Sequence, residues 1–375
     1  MSESAQNSKQ VDTSNEDHVW MHQAIAEAGK AIYRTRPNPA VGCVIVKDDV
    51  IVGRGATAPV GGSHAEVFAM REAGELAKGA TAYVTLEPCA HYGRTPPCAK
   101  GLVEAGIARV VVACSDPNPL VAGKGVDILR QAGITVETGI CEQQAASQNK
   151  GFLKAMATNM PYVRLKIASS LDGRTAMASG ESKWITGAES RQDVQHWRAI
   201  SGAVITGIET ILADDPLLNV RSLLDADLKN IDLTTIVQPK RVVLDRQGRL
   251  PLTAQILKQP ETVMVLGPFR KELAQLGVVQ LDVQSLQDLL RTLKDFQIYD
   301  VLVEAGATLS TAFLQENLVD ELISYIAPTL LGQSARAMFN AQFETMAQQL
   351  RFRLEDVHQF GDDIRLRLLP SQESV

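Results

Sequence analysis

Short apolar runs of strand length alternate with segments of helical periodicity twice along this chain of 375 residues, and Met160-Pro161 stands between the two series. Proline disfavours helix in the residue before it, so the preceding helix must end there and a new element begin. In the first series Trp20, Ala24, Ile25, Ala28 and Ile32 recur at helical spacing and predict a helix within 16–34. The stretch "AVGCVIVKDDVIVGRG" predicts two strands joined by a turn at Asp48 and Asp49. Helices at "AEVFAMREAGELA", "CAKGLVEAG" and "GVDILRQAG" then alternate with strands at "ATAYVTLEP", "ARVVVAC" and "ITVETG". The second series starts with a strand at Tyr162 and a helix at 188–200. Strands follow at "GAVIT", "KRVVLD", "TVMVLG", "DVLVEAG" and "DELISYIAP", and near 351–357 and 363–369. Both halves therefore read as α/β layers. Residues 222–239 read as a surface excursion. The expected division is a disordered leader over 1–15, a first domain over 16–158 and a second over 159–375.

Apolar residues make up 45% and charged residues 21%, the balance of a soluble globular protein. No apolar run approaches the roughly 20 residues that cross a bilayer. The polar start "MSESAQNSKQVDTSNED" lacks the apolar segment of a signal peptide. Five cysteines in such a chain suit a reducing compartment, and the expected location is the cytoplasm. A net charge of -6 argues against nucleic acid as a partner, because phosphate backbones need a basic surface. A small phosphorylated substrate needs only a few local cations.

His64, Cys89 and Cys98 have the donor types of a catalytic zinc site, which takes three protein ligands and keeps one position open. His64 begins a predicted helix. Cys98 follows Pro96-Pro97, where proline suits a first helical turn, so its sulfur lies at a helix N-terminus that favours thiolate. Glu66 is two residues beyond His64 and points elsewhere; it can exchange protons between a water at the open position and a leaving amine. This is the H-x-E…P-C…C logic of zinc-dependent nucleobase deaminases, except that eight residues, "AHYGRTPP", separate the cysteines where two are usual. A closed structural site with His91 as fourth ligand is the alternative, and it gives Glu66 no role. Iron could use the same donors. Cys43, Cys114 and Cys141 lie in or beside apolar runs and read as small core residues.

"TRPNPAVGCVIV", "HAEVFA", "TLEPCAHYGRTPPC" and "DPNPLVAGKG" together resemble the bifunctional riboflavin-biosynthesis deaminase/reductase family, the RibD type. The likeness continues through "LKIASSLDGRTA", "ESKWITG" and "LADDPLLNVR". It implies a cytidine-deaminase-like three-layer α/β/α domain and a dihydrofolate-reductase-like α/β domain. The implied chemistry is zinc-dependent deamination of 2,5-diamino-6-(5-phosphoribosylamino)pyrimidin-4-one, then NADPH-dependent reduction of its ribosyl group to ribityl. Asn38, His91 and Arg94 would contact the pyrimidine, with Asp116 and Asn118 as weaker candidates. Similar proteins often carry histidine where Thr57 stands.

In the second half the residues alone say less. Lys166 is a lone cation in the apolar run "YVRLKIA", either functional or a solvent-facing edge residue. The small-residue turn at Gly306, opening the helix "ATLSTAFLQ", could cradle an anion, although G-x-G-x-x-G is absent. The resemblance implies NADP contacts from Ala168, Trp184, Thr210, Asp214, Gly306, Ala307, Thr308, Leu309, Ser310, Thr311 and Ala312. It also implies substrate contacts from Ser182, Arg198, Leu218, Arg221 and Glu304. Arg198 and Arg221 suit phosphate, and Lys166 and Glu304 suit proton handling at the sugar. Arg246 replaces a serine that touches the cofactor in similar proteins. A homo-oligomer, dimer or tetramer, is expected. Two rivals share part of the pattern. A nucleic-acid deaminase would need a basic groove and the short cysteine spacing; a structural zinc module would be indifferent to Glu66→Gln.

Overall fold

The computed structural model describes residues 13–90, 96–119, 121–224 and 229–371. The chain separates into two compact units, Met1–Ala157 and Thr158–Val375. Among the described residues no helix is long and apolar enough to cross a membrane.

The first unit runs α1 (Thr13–Gly29), β1 (Gly42–Lys47), β2 (Val50–Ala56), α2 (Ala65–Ala73), β3 (Thr81–Leu86), α3 (Cys98–Glu104) and β4 (Arg109–Cys114). It continues with α4 (Lys124–Gln131), β5 (Thr135–Thr138), α5 (Glu142–Ser147) and α6 (Lys150–Thr158). Helix α1 departs from expectation at both ends. Thr13, Ser14 and Asn15, assigned to the leader, are its first residues. Small polar residues ahead of an acid in the first turn (Glu16) suit a helix start. It stops at Gly29, where glycine ends helices readily, so Ile32 lies in the turn beyond.

The five strands line up as β2-β1-β3-β4-β5, with β2 and β1 antiparallel and β3, β4 and β5 parallel. Asp48 and Asp49 both take positive φ (49° and 59°), as a two-residue hairpin turn of the I′ kind requires. The central strands are buried throughout and therefore read as continuous apolar runs, not alternating ones. Val110 and Val112 pack with Ala69, Leu102 and Leu129 of α2, α3 and α4 on one face. Val111 and Ala113 pack with Met21, Ala24 and Ala145 of α1 and α5 on the other. The unit is a three-layer α/β/α sandwich.

The second unit runs β6 (Tyr162–Ser170), β7 (Arg174–Ala176), α7 (Ala188–Ile200), β8 (Ala203–Gly207), α8 (Ile208–Asp214), β9 (Lys240–Leu244), β10 (Val263–Leu266) and α9 (Lys271–Gln275). Then come β11 (Val279–Leu281), α10 (Leu286–Asp295), β12 (Asp300–Glu304), α11 (Ala307–Gln315), β13 (Glu321–Ala327), β14 (Arg336–Ala337), β15 (Phe352–Phe360) and β16 (Asp363–Pro370). Nine strands form one sheet in the order β11-β10-β9-β8-β12-β6-β13-β16-β15. The pairings from β11 to β13 are parallel, and the β15–β16 hairpin adds an antiparallel edge.

Side chains alternate across this sheet. Val163, Leu165, Val301 and Val303 meet α10 and α11 on one face, while Val204 and Leu302 meet α7 and α8 on the other. Lys166 and Glu304 share the second face with α7. Strand β6 lies inside the sheet between β12 and β13, so the edge-strand reading of Lys166 does not hold. Part of the excursion at 222–239 is described: Leu224 and Asn230 form an isolated bridge, and Leu233–Thr235 a short 3-10 turn.

Candidate functional site

In the first unit the ends of three elements meet. His64 is the residue before α2, Cys89 follows β3, and Cys98 opens α3 behind Pro97. His64 Nδ1 lies 3.6 Å from Cys89 Sγ and 3.3 Å from Cys98 Sγ. All three donor atoms fall within 4.8 Å of one another, the one such group among the described residues. A tetrahedral zinc with bonds of about 2.3 Å to sulfur and 2.0 Å to nitrogen needs donors about 3.5 Å apart, so this set fits the ion. The Cys98 backbone N–H donates to Cys89 Sγ at 3.3 Å, which ties the start of α3 to the end of β3.

Electrostatics agree with the geometry. A hydrogen bond from Cys98 holds the Cys89 thiol down to about 4, and the same contact pushes Cys98 up. The two sulfurs thus share one proton, which a cation would displace on binding. The hydrogen bond with Cys89 raises His64 against the effect of its burial. Glu66, in the first turn of α2, is buried, and burial together with the Cys89 charge pushes its carboxyl up to about 7. A carboxyl poised there both accepts and returns protons near neutrality.

Further residues hold this site in shape. Glu87, buried in front of Pro88, accepts from the backbone N–H of Asp116 (3.3 Å), Gly123 (3.1 Å), Gly125 (3.0 Å) and Val126 (3.3 Å). It fastens the loop after β4 and the start of α4 against the cysteine-bearing segment. A Cβ on Gly125 would sit 1.9 Å from Pro88 O. Asn149 brackets Ala40 with two bonds of 2.8 Å, to its N–H and from its own amide to the C=O, and so holds the turn carrying Asn38. The sequence reading missed both. The signal for Glu87 was an acid closing the buried run "TLEPC". The hydroxyl of Thr57 meets Val41 N–H at 3.1 Å and is occupied with backbone. Asp116 is buried, and its carboxylate accepts from Asn118 N–H at 2.8 Å. His91 and Arg94 lie outside the described residues. Cys43 and Cys114 are buried, Cys141 half-buried, and all five cysteines are free thiols.

The second unit carries a cleft of about 1650 Å³ over the carboxyl ends of β8, β9 and β12, flanked by α7, α8 and α11. Pockets for single small ligands usually measure about 300–1,000 Å³, so there is room for two molecules side by side. Lys166, Ala168, Ser182, Trp184, Arg198, Thr210, Asp214, Leu218, Arg221, Glu304, Gly306, Ala307, Thr308, Leu309 and Ala312 all line it. Ser310 and Thr311 do not. They fall on the inner side of α11, where the Ser310 hydroxyl donates to Ala305 O and Thr311 accepts from Asn340 N–H. Arg246 lines the cleft and is exposed. The uncapped α11 N-terminus at Gly306 opens onto the same space. Its first-turn N–H groups and the cations nearby suit an anionic dinucleotide.

Lys166 and Glu304 are paired directly across β6 and β12. Burial lowers the Lys166 ammonium, which the Glu304 charge partly restores. Arg198 from α7 grips the Glu304 carboxylate with one edge of its guanidinium, Nε to Oε1 at 2.6 Å and Nη2 to Oε2 at 2.9 Å.

A three-donor metal cluster with an adjacent buried carboxyl, joined in one chain to a dinucleotide-sized cleft on a parallel sheet, defines a deaminase–reductase. The family comparisons divide the chain the same way: residues 14–114 match the cytidine and deoxycytidylate deaminase zinc-binding region, and residues 161–366 match the RibD C-terminal domain. The chain belongs to the RibD family of riboflavin biosynthesis, and its two units have the cytidine-deaminase-like and dihydrofolate-reductase-like folds of that family. Riboflavin biosynthesis protein RibD of Haemophilus influenzae is 47% identical, over 96% of this chain and 99% of its own. That of Escherichia coli is 47% identical over 94% and 99%. The solved RibD of Acinetobacter baumannii superposes with a TM-score of 0.93 at 71% identity, covering 96% of this chain and 100% of that one. A deaminase/reductase from Thermotoga maritima superposes at 0.86 with 32% identity over the same shares.

Proposed function

We propose that this chain deaminates 2,5-diamino-6-(5-phosphoribosylamino)pyrimidin-4-one in its first unit and reduces the ribosyl group of the product in its second. The end product is 5-amino-6-(5-phosphoribitylamino)uracil. The observation that carries the reading is the presence of two sites in one chain: His64, Cys89, Cys98 and Glu66 in one unit, Lys166 and Glu304 over a two-ligand cleft in the other.

His64, Cys89 and Cys98 hold zinc, which when bound supplies the positive charge that makes water a nucleophile at neutral pH. Glu66 takes a proton from the attacking water and returns it to the leaving nitrogen, so that ammonia departs and a carbonyl remains. Asn38 orients the heterocycle, with Asn149 fixing the turn beneath it. In the second unit NADPH, when bound, would supply the hydride that reduces the sugar. Ala168, Trp184, Thr210, Asp214 and the start of α11 hold the dinucleotide. Ser182, Leu218 and Arg221 hold the sugar phosphate. Lys166 delivers the proton to the oxygen of the opened sugar, and the Glu304 carboxylate beside it keeps the ammonium charged. Free thiols throughout support a cytoplasmic location. The nine-residue β15 at the sheet edge, with Leu354 and Val357 exposed, supports a homo-oligomer.

The test is NADPH oxidation on adding the diaminopyrimidine phosphate to metal-loaded and chelator-treated protein. Oxidation in the loaded sample alone, with both samples reducing pre-deaminated intermediate, supports both activities acting in order. Glu66→Gln should retain zinc and lose ammonia release by about 100-fold or more, the range of general acid–base catalysis. Near-normal ammonia release from that variant would remove Glu66 from its role.

A further inference from the structure

Lys166 shares its face of the sheet with an aromatic ring that does not line the cleft. On β6 and β13, Lys166 is paired with Ile323 and Ala168 with Tyr325 in parallel register. Residues two apart on a strand lie on one face, so Tyr325 is the diagonal neighbour of Lys166. The Lys166 ammonium stands over the Tyr325 ring, 5.8 Å from its centroid. That is within reach of a cation–π contact, which strengthens as water is excluded. Tyr325 is fully buried, whereas Lys166 is half-buried and lines the cleft. The ring therefore reaches the reaction only through the ammonium. Its hydroxyl donates to Asp193 Oδ2 at 2.5 Å and accepts from Trp197 Nε1 at 2.9 Å, both on α7. Arg365 of β16 donates to the same Asp193 oxygen at 2.8 Å. Burial, and then the Asp193 charge, push the phenol up, so it stays neutral and goes on donating. Among the described residues the Lys166 ammonium makes no hydrogen bond of its own.

Resting on the reductase reading above, we infer that Tyr325 is a positioning residue whose ring face aims the Lys166 ammonium at the sugar and favours its charged form. Asp193 and Trp197 hold the ring in that pose. The charged groups facing Lys166 are Glu304 from β12 and Arg198 from α7. Asp193 from α7 and Arg365 from β16 stand at the hydroxyl end of the ring. Burial lowers the Lys166 ammonium and Arg198 adds to this, while Glu304 opposes both. The ring acts in the same direction as Glu304, because a π face attracts a cation and does little for a neutral amine. A lysine that delivers a proton must carry it, so reduction slows as pH rises through the Lys166 pKa. Without the ring that basic limb moves to lower pH.

The experiment follows reduction of the pre-deaminated intermediate by NADPH across pH. The full chain carries Tyr325→Leu, Tyr325→Phe, or phenylalanine with one, two or three ring fluorines at position 325. Fluorine draws electron density from the π face and keeps the shape of the ring, so the series serves even if Tyr325→Leu does not fold. Tyr325→Leu should lower kcat by about 10-fold and move the basic limb down by about half a unit or more, the worth of a cation–π contact. KM for NADPH should stay as in wild type, because Tyr325 does not line the cleft. Tyr325→Phe keeps the ring face and should keep both kcat and the limb, while melting at lower temperature for want of its hydrogen bonds. Each added fluorine should move the limb further down. A limb unmoved along the fluorine series would overturn the inference. So would a Tyr325→Phe chain as impaired as Tyr325→Leu, which would place the effect in the hydroxyl. Wild-type protein that leaves the pre-deaminated intermediate unreduced would instead overturn the reductase reading itself.

Discussion

Gly55 shows how one missing side chain places the Glu66 carboxyl. It lies on β2 directly beneath α2, and a Cβ there would be 2.0 Å from Ala65 O and 2.8 Å from Ala69 N. Those atoms are helix backbone and cannot yield without moving α2, whose first turn carries Glu66 and whose preceding residue is His64. Gly55→Ala should therefore cost about 1–3 kcal/mol by overpacking. It should also lift His64 away from the two sulfurs. The check is a thermal melt combined with zinc retention on dialysis against a chelator. Lower stability with weaker zinc retention is expected, while reduction of pre-deaminated intermediate stays normal. Unchanged zinc retention would show that α2 absorbs the methyl without disturbing its N-terminus. The His64, Cys89, Cys98 trio was legible in sequence because metal donors are few and their types diagnostic. The packing that brings them together was not, because Gly55 reads as one of 27 glycines until α2 is seen lying on it.

At the level of elements, α1 is fastened to the sheet by a charge as well as by its apolar face. Asp17 is buried and takes both ends of the Arg109 guanidinium (2.8 and 2.6 Å) and the Tyr83 hydroxyl (2.8 Å). Burial pushes the Asp17 carboxyl up, and the bonds from Arg109 and Tyr83 outweigh this and hold it below its usual range. A carboxyl lowered in the folded state adds stability above its unfolded pKa and loses it as pH falls through the folded value. Asp17→Asn should therefore destabilise the first unit by about 1.5–3 kcal/mol at neutral pH, as for hydrogen bonds to charged groups. In denaturant titrations the gap to wild type should close as pH drops below about 3.8, the usual aspartate value. A gap constant down to pH 2 would show that Asp17 acts through shape alone. Strands and helices of this unit were readable because local patterns decide them: the Asp48-Asp49 turn needs only two residues tolerant of positive φ. Strand neighbours were not readable. Lys166 could be an edge cation or a central one on sequence alone, since only the pairing of β6 with both β12 and β13 decides it. Likewise the fork of Arg198 on Glu304 could not be read from sequence, because the two residues stand 106 positions apart.

Across the whole molecule, the described residues of each site come from one unit. The metal donors and Glu66 lie between residues 64 and 98, and every residue lining the reductase cleft lies between 166 and 340. Each site should therefore work in a chain whose other site is dead. Mixing Glu66→Gln protein with Lys166→Ala protein should then restore NADPH oxidation from the diaminopyrimidine phosphate. Each variant alone should give only residual flux. Because the intermediate must leave one molecule and find another, oxidation in the mixture should begin after a lag. That lag should shorten as the Glu66→Gln protein, which holds the working reductase, is raised. Wild-type chains at the same concentration set the reference. A wild-type lag equal to that of the mixture means the intermediate diffuses freely even when both sites share a chain. Failure of the mixture, with each variant still performing its own half-reaction, would mean that the intermediate passes only within a single assembly.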